Sequence, residues 1–251
     1  MDQQHDLTLN KLDAAASVRG GWAAIKPHYP LFLAMIFIQV VAGVLSSFVP
    51  FIGSILSAAI GVCLVAGMFM AMFGVFRGES PKVQLMFEGF SRFVPLFVFV
   101  LIQTIPFVIV AAIAVSNGML PEALTSGTGQ EMTPEQLQEI IAALDPRLLW
   151  LYAGAWAAWI VMKALMFFAV PLVADRDINA PTAIGLSVKA FAANIGGVAA
   201  LIAIQAGLFI AGLLMLGIGL FFVAPVIYVI EAAAYRDVFG IGGSPEIAAE
   251  A

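Results

Sequence analysis

The stretch from residue 179 to residue 205, NAPTAIGLSVKAFAANIGGVAALIAIQ, holds two kinds of helix signal side by side. Asn179 is a candidate N-cap, and Pro181 suits the first turn of a helix, where its missing N–H costs nothing. Four apolar residues that follow are spaced i, i+4, i+7 and i+11 and share one helix face: Ile184, Val188, Phe191 and Ile195. An almost uninterrupted apolar run then contains a single polar side chain, Gln205. The stretch predicts a helix on a membrane surface followed by a helix that enters the membrane.

The composition is that of an integral membrane protein. Hydrophobic residues make up 62% of the 251 residues and charged residues 11%, and the mean hydropathy is +1.03. A soluble domain has about 45–50% apolar and about 25% charged residues. The one cysteine, Cys63, lies in an apolar run, so we expect neither a disulfide framework nor a thiolate metal site. The polar, acidic start predicts no cleavable signal peptide, and no basic arm for nucleic acid occurs.

Six apolar segments are long enough to cross a bilayer, which requires about 20 predominantly apolar residues. They cover residues 30–48, 53–76, 95–116, 148–173, 197–216 and 219–235. The sequence therefore predicts an all-α integral membrane fold with six transmembrane helices. We expect a single membrane domain over residues 1–251, with short tails at 1–12 and 237–251.

Lysines and arginines outside the spans fall mostly on one side of these six segments. That side holds Lys11, Arg19, Lys26, Arg77, Lys82, Arg92, Arg176, Lys189 and Arg236. The other side holds Arg147 among several carboxylates. By the positive-inside rule, we expect a multi-pass protein of the bacterial cytoplasmic (inner) membrane with both termini in the cytoplasm.

The helix-face pattern of the opening stretch occurs twice more, once before the first predicted span and once before the third. The two further sets are Val18, Trp22, Ile25 and Tyr29, and Val83, Phe87, Phe90 and Val94. In all three copies a lone glutamine follows the fourth residue of the set by nine or ten positions. Each set precedes two consecutive spans, and the second of these spans ends at an arginine. We predict three hairpins, each preceded by an amphipathic cytoplasmic surface helix, in units of residues 13–77, 80–176 and 181–236. The alternative is that apolar faces and cytoplasmic arginines recur in any multi-span protein.

The middle unit carries an insertion, residues 117–146, on the predicted outer side. Thr133 and Gln136 form a candidate capping box with Pro134 at the first helical position. Four residues then make one apolar face: Leu137, Ile140, Ile141 and Leu144. We expect a short amphipathic helix that lies on the lipid or covers the outer mouth of the bundle.

Polar side chains inside the spans are candidate residues of a binding site or path: Gln39, Gln103, Gln205, Lys163 and Glu231. The glutamines lie at similar predicted depth, about 15 Å from the surface helices. They either form a polar ring around a pseudo-threefold centre or hold the hairpins together by interhelical hydrogen bonds. A lysine so deep in a span indicates a functional site, unless its long stem snorkels to the interface. Glu231 either pairs with Lys163 or with a cation near the cytoplasmic end.

Aromatic and basic residues at the predicted membrane boundaries are candidate interfacial anchors: Trp22, His28, Arg77, Arg92, Arg176 and Arg236. Pro171 and Pro225 are candidate kinks or hinges. Three glycines predict close packing and a tight turn between the last two spans: Gly212, Gly217 and Gly219.

Several known catalytic motifs are absent from the sequence. HExxH, GxSxG and GxxxxGK[ST] do not occur, so we predict no catalytic, metal-binding or cofactor-binding site.

Three segments carry a family resemblance: PFIGSILSAAIGVCLVAGMFMAMFGVFRGESPKVQLMFEGF, VPLVADRDINAPTAIGLSVKAFAANIGG and EAAAYRDVFG. They resemble the membrane domain associated with glycerophosphodiester phosphodiesterases, and related stand-alone bacterial inner-membrane proteins. The resemblance implies a six-span bundle in a bacterial cytoplasmic membrane. It transfers no catalytic residue, because the phosphodiesterase chemistry belongs to a separate soluble domain.

Three functional hypotheses fit the sequence. The first is a non-enzymatic envelope scaffold or accessory component, whose partners are the lipid bilayer and other envelope proteins. The second is a carrier or channel for a lipid or small solute, with the polar span residues along its path. The third is an enzyme that acts on lipid headgroups at the cytoplasmic face.

Overall fold

The structure is a computed structural model, and it describes residues 9–48, 53–120, 133, 138 and 145–241. Within these residues the elements are helical and no strand occurs. The helices are α1 (Ala14–Ile25), α2 (Tyr29–Ser47), α3 (Gly53–Phe76), α4 (Leu85–Glu88), α5 (Phe93–Ser116), α6 (Arg147–Leu165), α7 (Ala169–Asp175), α8 (Ala180–Ala193), α9 (Ile195–Leu214) and α10 (Ile218–Phe239). Short 3₁₀ segments occupy Lys26–His28 and Gly89–Arg92.

Six helical stretches are long and apolar enough to cross a membrane, as the sequence predicts. They are Ala14–Ser46, Gly53–Phe76, Leu85–Ser116, Arg147–Asp175, Ile195–Leu214 and Ile218–Phe239. The all-α fold class is therefore confirmed for the described residues. The predicted outer amphipathic helix, with its capping box and apolar face, lies outside the residues that the structure describes, apart from Thr133 and Gln138.

The chain divides into two compact units, residues 1–100 with 164–251 and residues 101–163. The core of the first unit lies around the C-terminal half of α3, the C-terminal half of α10, and α7. Its largest fully buried side chains include aromatic residues from α3, from α10 and from the turn before α7: Phe69, Phe73, Tyr235 and Phe168. Aromatic burial of this kind is a large apolar contribution to packing.

Each short element before a long helix packs on another helix of the first unit through small residues. In α1, Gly21 faces α10, where an added Cβ would lie 3.0 Å from Ala233 and 3.1 Å from the Val229 carbonyl. At Gly89, an added Cβ would overlap the Cys63 carbonyl of α3. Ser187 of α8 bonds the backbone at the start of α7. These contacts bring backbones close together, as small residues do at membrane helix interfaces.

The fourth predicted span, residues 148–173, is broken in the structure between α6 and α7. Pro171 explains the break, since it has no N–H to donate and its ring clashes with the carbonyl four residues earlier. The Ser187 hydroxyl spans the gap by donating to the Leu165 carbonyl at 2.8 Å and accepting from the Phe168 N–H at 3.0 Å. By contrast, α10 continues through Pro225.

The junctions of the opening stretch agree with its sequence. Asn179 caps α8 by accepting the Thr182 N–H at 3.0 Å, and the chain breaks at Asn194 before α9 begins. Between α9 and α10, Gly217 adopts a positive φ of 78°. An added Cβ on Gly219 would lie 2.8 Å from the Gly212 carbonyl. The predicted close packing and tight turn at these glycines are confirmed.

The second unit contains most of α5 and α6. Phe107 meets Trp156 edge to face, with ring centroids 5.3 Å apart, and Trp156 meets Trp159 in the same way. Large side chains such as Leu149 and Trp150 are exposed at 76% and 82%. Their exposure suits helices whose outer surfaces contact lipid.

Candidate functional site

A cleft of about 610 Å³ lies in the first unit between α2, α3 and the N-terminal half of α10. We call it the α2–α3–α10 cleft. It is lined by Ile36, Gln39, Val40, Gly43, Ser57, Gly61, Gly217, Leu220, Phe221, Ala224 and Tyr228. Ligand pockets typically have volumes of about 300–1,000 Å³, so this cleft is large enough for a small amphiphile.

Glycines keep the cleft open. A Cβ added to Gly61 would meet no heavy atom within 4 Å, and one added to Gly43 would meet the Ser57 hydroxyl at 3.7 Å. The adjoining N-terminal part of α3 is correspondingly exposed, with Ile55 at 47%. Small side chains here leave a space that larger ones would fill.

The floor of the cleft is polar. The side chains of Gln39 and Tyr228 both line it, close enough for the amide to interact with the tyrosine hydroxyl, and Glu231 lies within electrostatic range of that hydroxyl. Gln39 is ten residues into α2 and Tyr228 is ten residues into α10, so each lies about 15 Å along its helix. The polar groups therefore lie near the middle of the helices, where hydrocarbon would supply no hydrogen bond.

Below this floor the first unit is closed by aromatic side chains. Phe69 meets Tyr228 edge to face at 6.0 Å and stacks on Phe73 at 6.2 Å. Phe73 in turn packs against Tyr235, with ring centroids 5.1 Å apart, and Tyr235 stacks on Phe239 at 5.2 Å. The cleft therefore ends against a packed aromatic layer.

A polar network follows the aromatic layer at the C-terminal end of α10. The Tyr235 hydroxyl donates to Asp175 at 2.7 Å and accepts from the Arg176 Nε at 3.1 Å. Arg176 also donates to the Phe239 carbonyl at 2.7 Å. Because the Asp175 carboxylate is almost fully buried, these bonds give it the partners that a buried charge requires.

The N-terminal segment joins the same end of the unit. The Asn194 side chain accepts the Leu12 N–H at 2.8 Å and donates to the Asn10 carbonyl at 3.3 Å. Ser17 of α1 donates to Asp237 at 2.6 Å. The segment before α1 is thereby tied to the junction of α8 and α9 and to α10.

The three predicted glutamines have different surroundings. Gln39 lines the cleft. Gln205 donates to the Ile227 carbonyl of α10 at 3.0 Å, which is an interhelical bond of the packing kind. Gln103 is half-buried in the second unit. Gln39 and Gln205 thus have different structural roles, although each follows the last residue of its repeat set by ten positions.

Lys163 belongs to the second unit and is exposed. Its ammonium group lies 6.0 Å from the centre of the Trp159 ring, within the range of a cation–π contact. Its pairing with Glu231, which belongs to the first unit, stays a prediction.

The candidate interfacial residues make contacts within the first unit. Trp22 meets Tyr29 edge to face at 5.5 Å and is 39% exposed, and His28 is half-buried at the 3₁₀ segment. The four arginines are described by their partners: Arg77 pairs with Glu79, Arg92 with Asp177, Arg176 with the Tyr235 network, and Arg236 with Asp237 while its guanidinium lies 4.6 Å from the Phe76 ring. Arg176 is the most buried of these arginine side chains, at 12% exposure.

Sequence reasoning missed the small-residue faces and the cleft. The predicted large apolar residues point mostly outward, with Phe87 and Ile195 exposed at 54% and 56%, although Ile25 of α1 is fully buried. The buried faces carry small residues instead: Ser17 and Gly21 in α1, Gly89 after α4, and Ala183, Ser187 and Ala190 in α8. Their i, i+4 spacing is the signal that would have found them. Within the described ranges, no cluster of three metal-ligating side chains occurs.

These features define the class: the chain is a multi-pass, α-helical membrane protein. No protein-family model, curated protein or solved structure matches it. The resemblance to the phosphodiesterase-associated membrane domain therefore stays a prediction.

Proposed function

We propose that this protein is a non-enzymatic carrier for a lipid or a small amphiphilic solute, which enters through the α2–α3–α10 cleft. The observation that carries this proposal is an open, apolar-walled cleft that ends on hydrogen-bonding side chains, Gln39 and Tyr228, at mid-helix. A scaffold has no need of such a space, and a polar group at this depth requires a partner. A carrier explains both the space and its polar floor.

The proposal includes an orientation in a bacterial inner membrane with both termini in the cytoplasm. The distribution of lysine and arginine over the connections supports it. In this orientation the cleft opens toward the outer side, because α2 ends and α10 begins at its mouth. The aromatic layer and the Tyr235 network then lie on the cytoplasmic side of the cleft.

We further propose that the bundle consists of three hairpins, each preceded by a cytoplasmic surface helix. The support is a recurring contact: each short element packs on a helix of another predicted unit. Helix α1, from the predicted repeat unit 13–77, packs on α10 of the unit 181–236. Helix α4, from the unit 80–176, packs on α3 of the unit 13–77, and α8, from the unit 181–236, packs on α7 of the unit 80–176. Such a cyclic pattern is what a triplicated module would give.

The test compares Gln39, which lines the cleft, with Gln205, which has a similar predicted depth but bonds the Ile227 carbonyl. Purified protein is placed in phosphatidylethanolamine–phosphatidylglycerol vesicles with an NBD-labelled lipid that has either a neutral sugar head or a phosphodiester head. Bleaching by dithionite then reports movement between leaflets. We expect wild type to speed this movement for at least one probe, Gln39→Leu to abolish the gain, and Gln205→Leu to retain it.

The thermal stability of the variants controls for loss of folding. Gln39→Leu and Gln205→Leu should each lose no more than about 0.6 kcal/mol in detergent, the typical value of an interhelical hydrogen bond, so a difference in lipid movement between them is not a difference in stability. Movement no faster than in protein-free vesicles, for both probes, would contradict the carrier. Equal movement in wild type and Gln39→Leu would contradict the assigned path.

The second candidate is an envelope scaffold, and outward-facing aromatic residues favour it. Trp22, Phe87 and Phe90 are exposed at 39%, 54% and 39% on the elements that precede long helices. If they hold a partner protein, a Trp22→Ala, Phe90→Ala double variant should run as a smaller complex on native gels of solubilised membranes. An unchanged complex would count against the scaffold.

A further inference from the structure

We propose that the α2–α3–α10 cleft binds a single-chain amphiphile with a neutral hydroxyl head. The chain lies along the walls and the hydroxyl bonds with Gln39 and Tyr228. This inference rests on the proposed carrier function and deepens it by naming the class of substrate.

The walls of the cleft suit a hydrocarbon chain. Between the mouth and the floor they present Val40, Leu220, Phe221 and Ala224, and Ile36 lies about one helical turn beyond Gln39. The volume of about 610 Å³ lies within the usual range for small-molecule sites, which bury most of the surface of their ligand in apolar surroundings.

The floor has hydrogen-bonding capacity left for a ligand. A glutamine amide offers two N–H donors and a carbonyl acceptor, and a tyrosine hydroxyl both donates and accepts. Both side chains line the cleft, and a bond between them would use only one donor and one acceptor of the pair. A hydroxyl can complete such a pair from either side, because it too donates and accepts.

The charges around the cleft select against an anionic head. Helices α2 and α3 hold no charged residue, and the lining contains no lysine or arginine. The nearest ionisable side chain on α10 is Glu231, one helical turn beyond Tyr228. A charged group at the middle of a bilayer is costly unless it is paired. A neutral head avoids this cost and still satisfies the floor.

The order of polarity also fixes the direction of the ligand. A phospholipid with its head at the membrane surface would place the end of its chain against Gln39 and Tyr228, which leaves their remaining donors and acceptors without partners. An amphiphile with its head at the floor matches polar to polar and apolar to apolar. The cleft thus takes a molecule whose head enters first.

The experiment uses three photoreactive probes that differ only in the head. A twelve-carbon chain with a diazirine at one fixed position carries a hydroxyl, an amine or a carboxylate. Each probe is added at equal concentration to the full-length protein in lipid nanodiscs and irradiated, and the adducts are mapped by peptide mass spectrometry. Unlabelled dodecanol serves as the competitor.

We expect the alcohol to label cleft residues such as Val40 and Leu220, and dodecanol to compete. Cleft labelling by the carboxylate should be at least about tenfold weaker, because the cleft offers it no cation. Tyr228→Phe and Gln39→Leu should each reduce labelling by the alcohol about threefold, the equivalent of one membrane hydrogen bond. Gln205→Leu, the matched control, should leave it unchanged.

Strongest labelling by the amine would overturn the neutral head and show recognition by Glu231. Equal labelling by all three probes, or no effect of Tyr228→Phe and Gln39→Leu, would overturn head recognition. Because this is a binding measurement, it fails independently of lipid movement in vesicles. If the protein speeds lipid movement but the labelling does not depend on the head, the carrier function is supported and the proposed substrate class is wrong.

Discussion

The two ends of the α3–α10 region differ sharply in packing. Toward the C-terminal ends of both helices, Phe69, Phe73 and Tyr235 are fully buried and a polar network closes the unit. Toward the N-terminal ends, Ile55 and Leu56 of α3 are exposed at 47% and 37% beside a cleft. The same two helices therefore serve as a rigid base at one end and as the walls of a site at the other.

This difference follows from where the glycines stand. At the closed end, Gly67 and Gly89 allow α3 to meet the segment around α4 backbone to backbone. At the open end, a Cβ added to Gly61 would meet nothing within 4 Å, and one added to Gly43 would meet only the Ser57 hydroxyl, at 3.7 Å. A glycine against a carbonyl permits contact, whereas a glycine against empty space leaves a cavity. The same residue type thus has opposite consequences at the two ends.

Substituting alanine for glycine should give the largest difference in stability between the closed end and the open end. Gly89→Ala forces a Cβ into the Cys63 carbonyl, so we expect a loss of at least about 3 kcal/mol in the free energy of unfolding. Gly61→Ala, where α3 lines the cleft, should be neutral, or stabilising by up to about 1 kcal/mol, because alanine favours helices. Unfolding in detergent, followed by circular dichroism, measures both. Equal losses would show that the open end is packed too.

The two tyrosines of α10 give the next largest contrast. Tyr235→Phe removes a hydroxyl that bonds a carboxylate and a guanidinium, and we expect it to cost about 2 kcal/mol. Tyr228→Phe removes a hydroxyl at the cleft floor and should cost about 0.6 kcal/mol. The same unfolding measurement compares them. If Tyr228→Phe lowered the free energy of unfolding more than Tyr235→Phe, the polar network at Tyr235 would not be the more stabilising of the two, and the assignment would be wrong.

The smallest of these effects concerns the N-terminal segment. Asn194→Ala leaves the buried Leu12 N–H without its acceptor, and we expect a loss of about 1 kcal/mol. Hydrogen exchange should quicken at residues 10–17. Asn117→Ala is the control, because the bonds of that side chain to described residues stay within its own helix end, at the Ile113 carbonyl and Ser116 hydroxyl. Unchanged exchange at residues 10–17 in Asn194→Ala would contradict the tether.

The six spans were predictable because each requirement is local. Apolar length predicted them from composition, and Asn179 and Pro181 predicted the start of α8 through capping chemistry. The break before α7 was harder to predict, since it depends on Pro171 and also on a hydroxyl from Ser187, far along the chain. A proline does not by itself break a helix here, because α10 continues through Pro225. The sequence therefore could not show which of the two prolines, Pro171 or Pro225, accompanies a break.

The candidate site was only partly predictable. Gln39 and Glu231 were singled out as polar residues in spans, and the structure places both beside Tyr228. Tyr228 itself was missed, because a tyrosine in an apolar helix is common and carries no spacing signal. The different environments of Gln39 and Gln205 depend on which backbone carbonyl or cavity each meets across the bundle. That is a tertiary property that the repeat spacing does not contain.

Thiol labelling on α3 tests the open and closed ends most directly. The native Cys63 is fully buried, whereas Ser57 lines the cleft about 9 Å away along the same helix. A Ser57→Cys, Cys63→Ala variant and the wild type are treated in intact cells with a membrane-impermeant maleimide. The carrier account predicts rapid modification of the variant from outside and none of the wild type. Modification of Cys63 at a comparable rate, or of Ser57→Cys only after the membrane is broken, would contradict it.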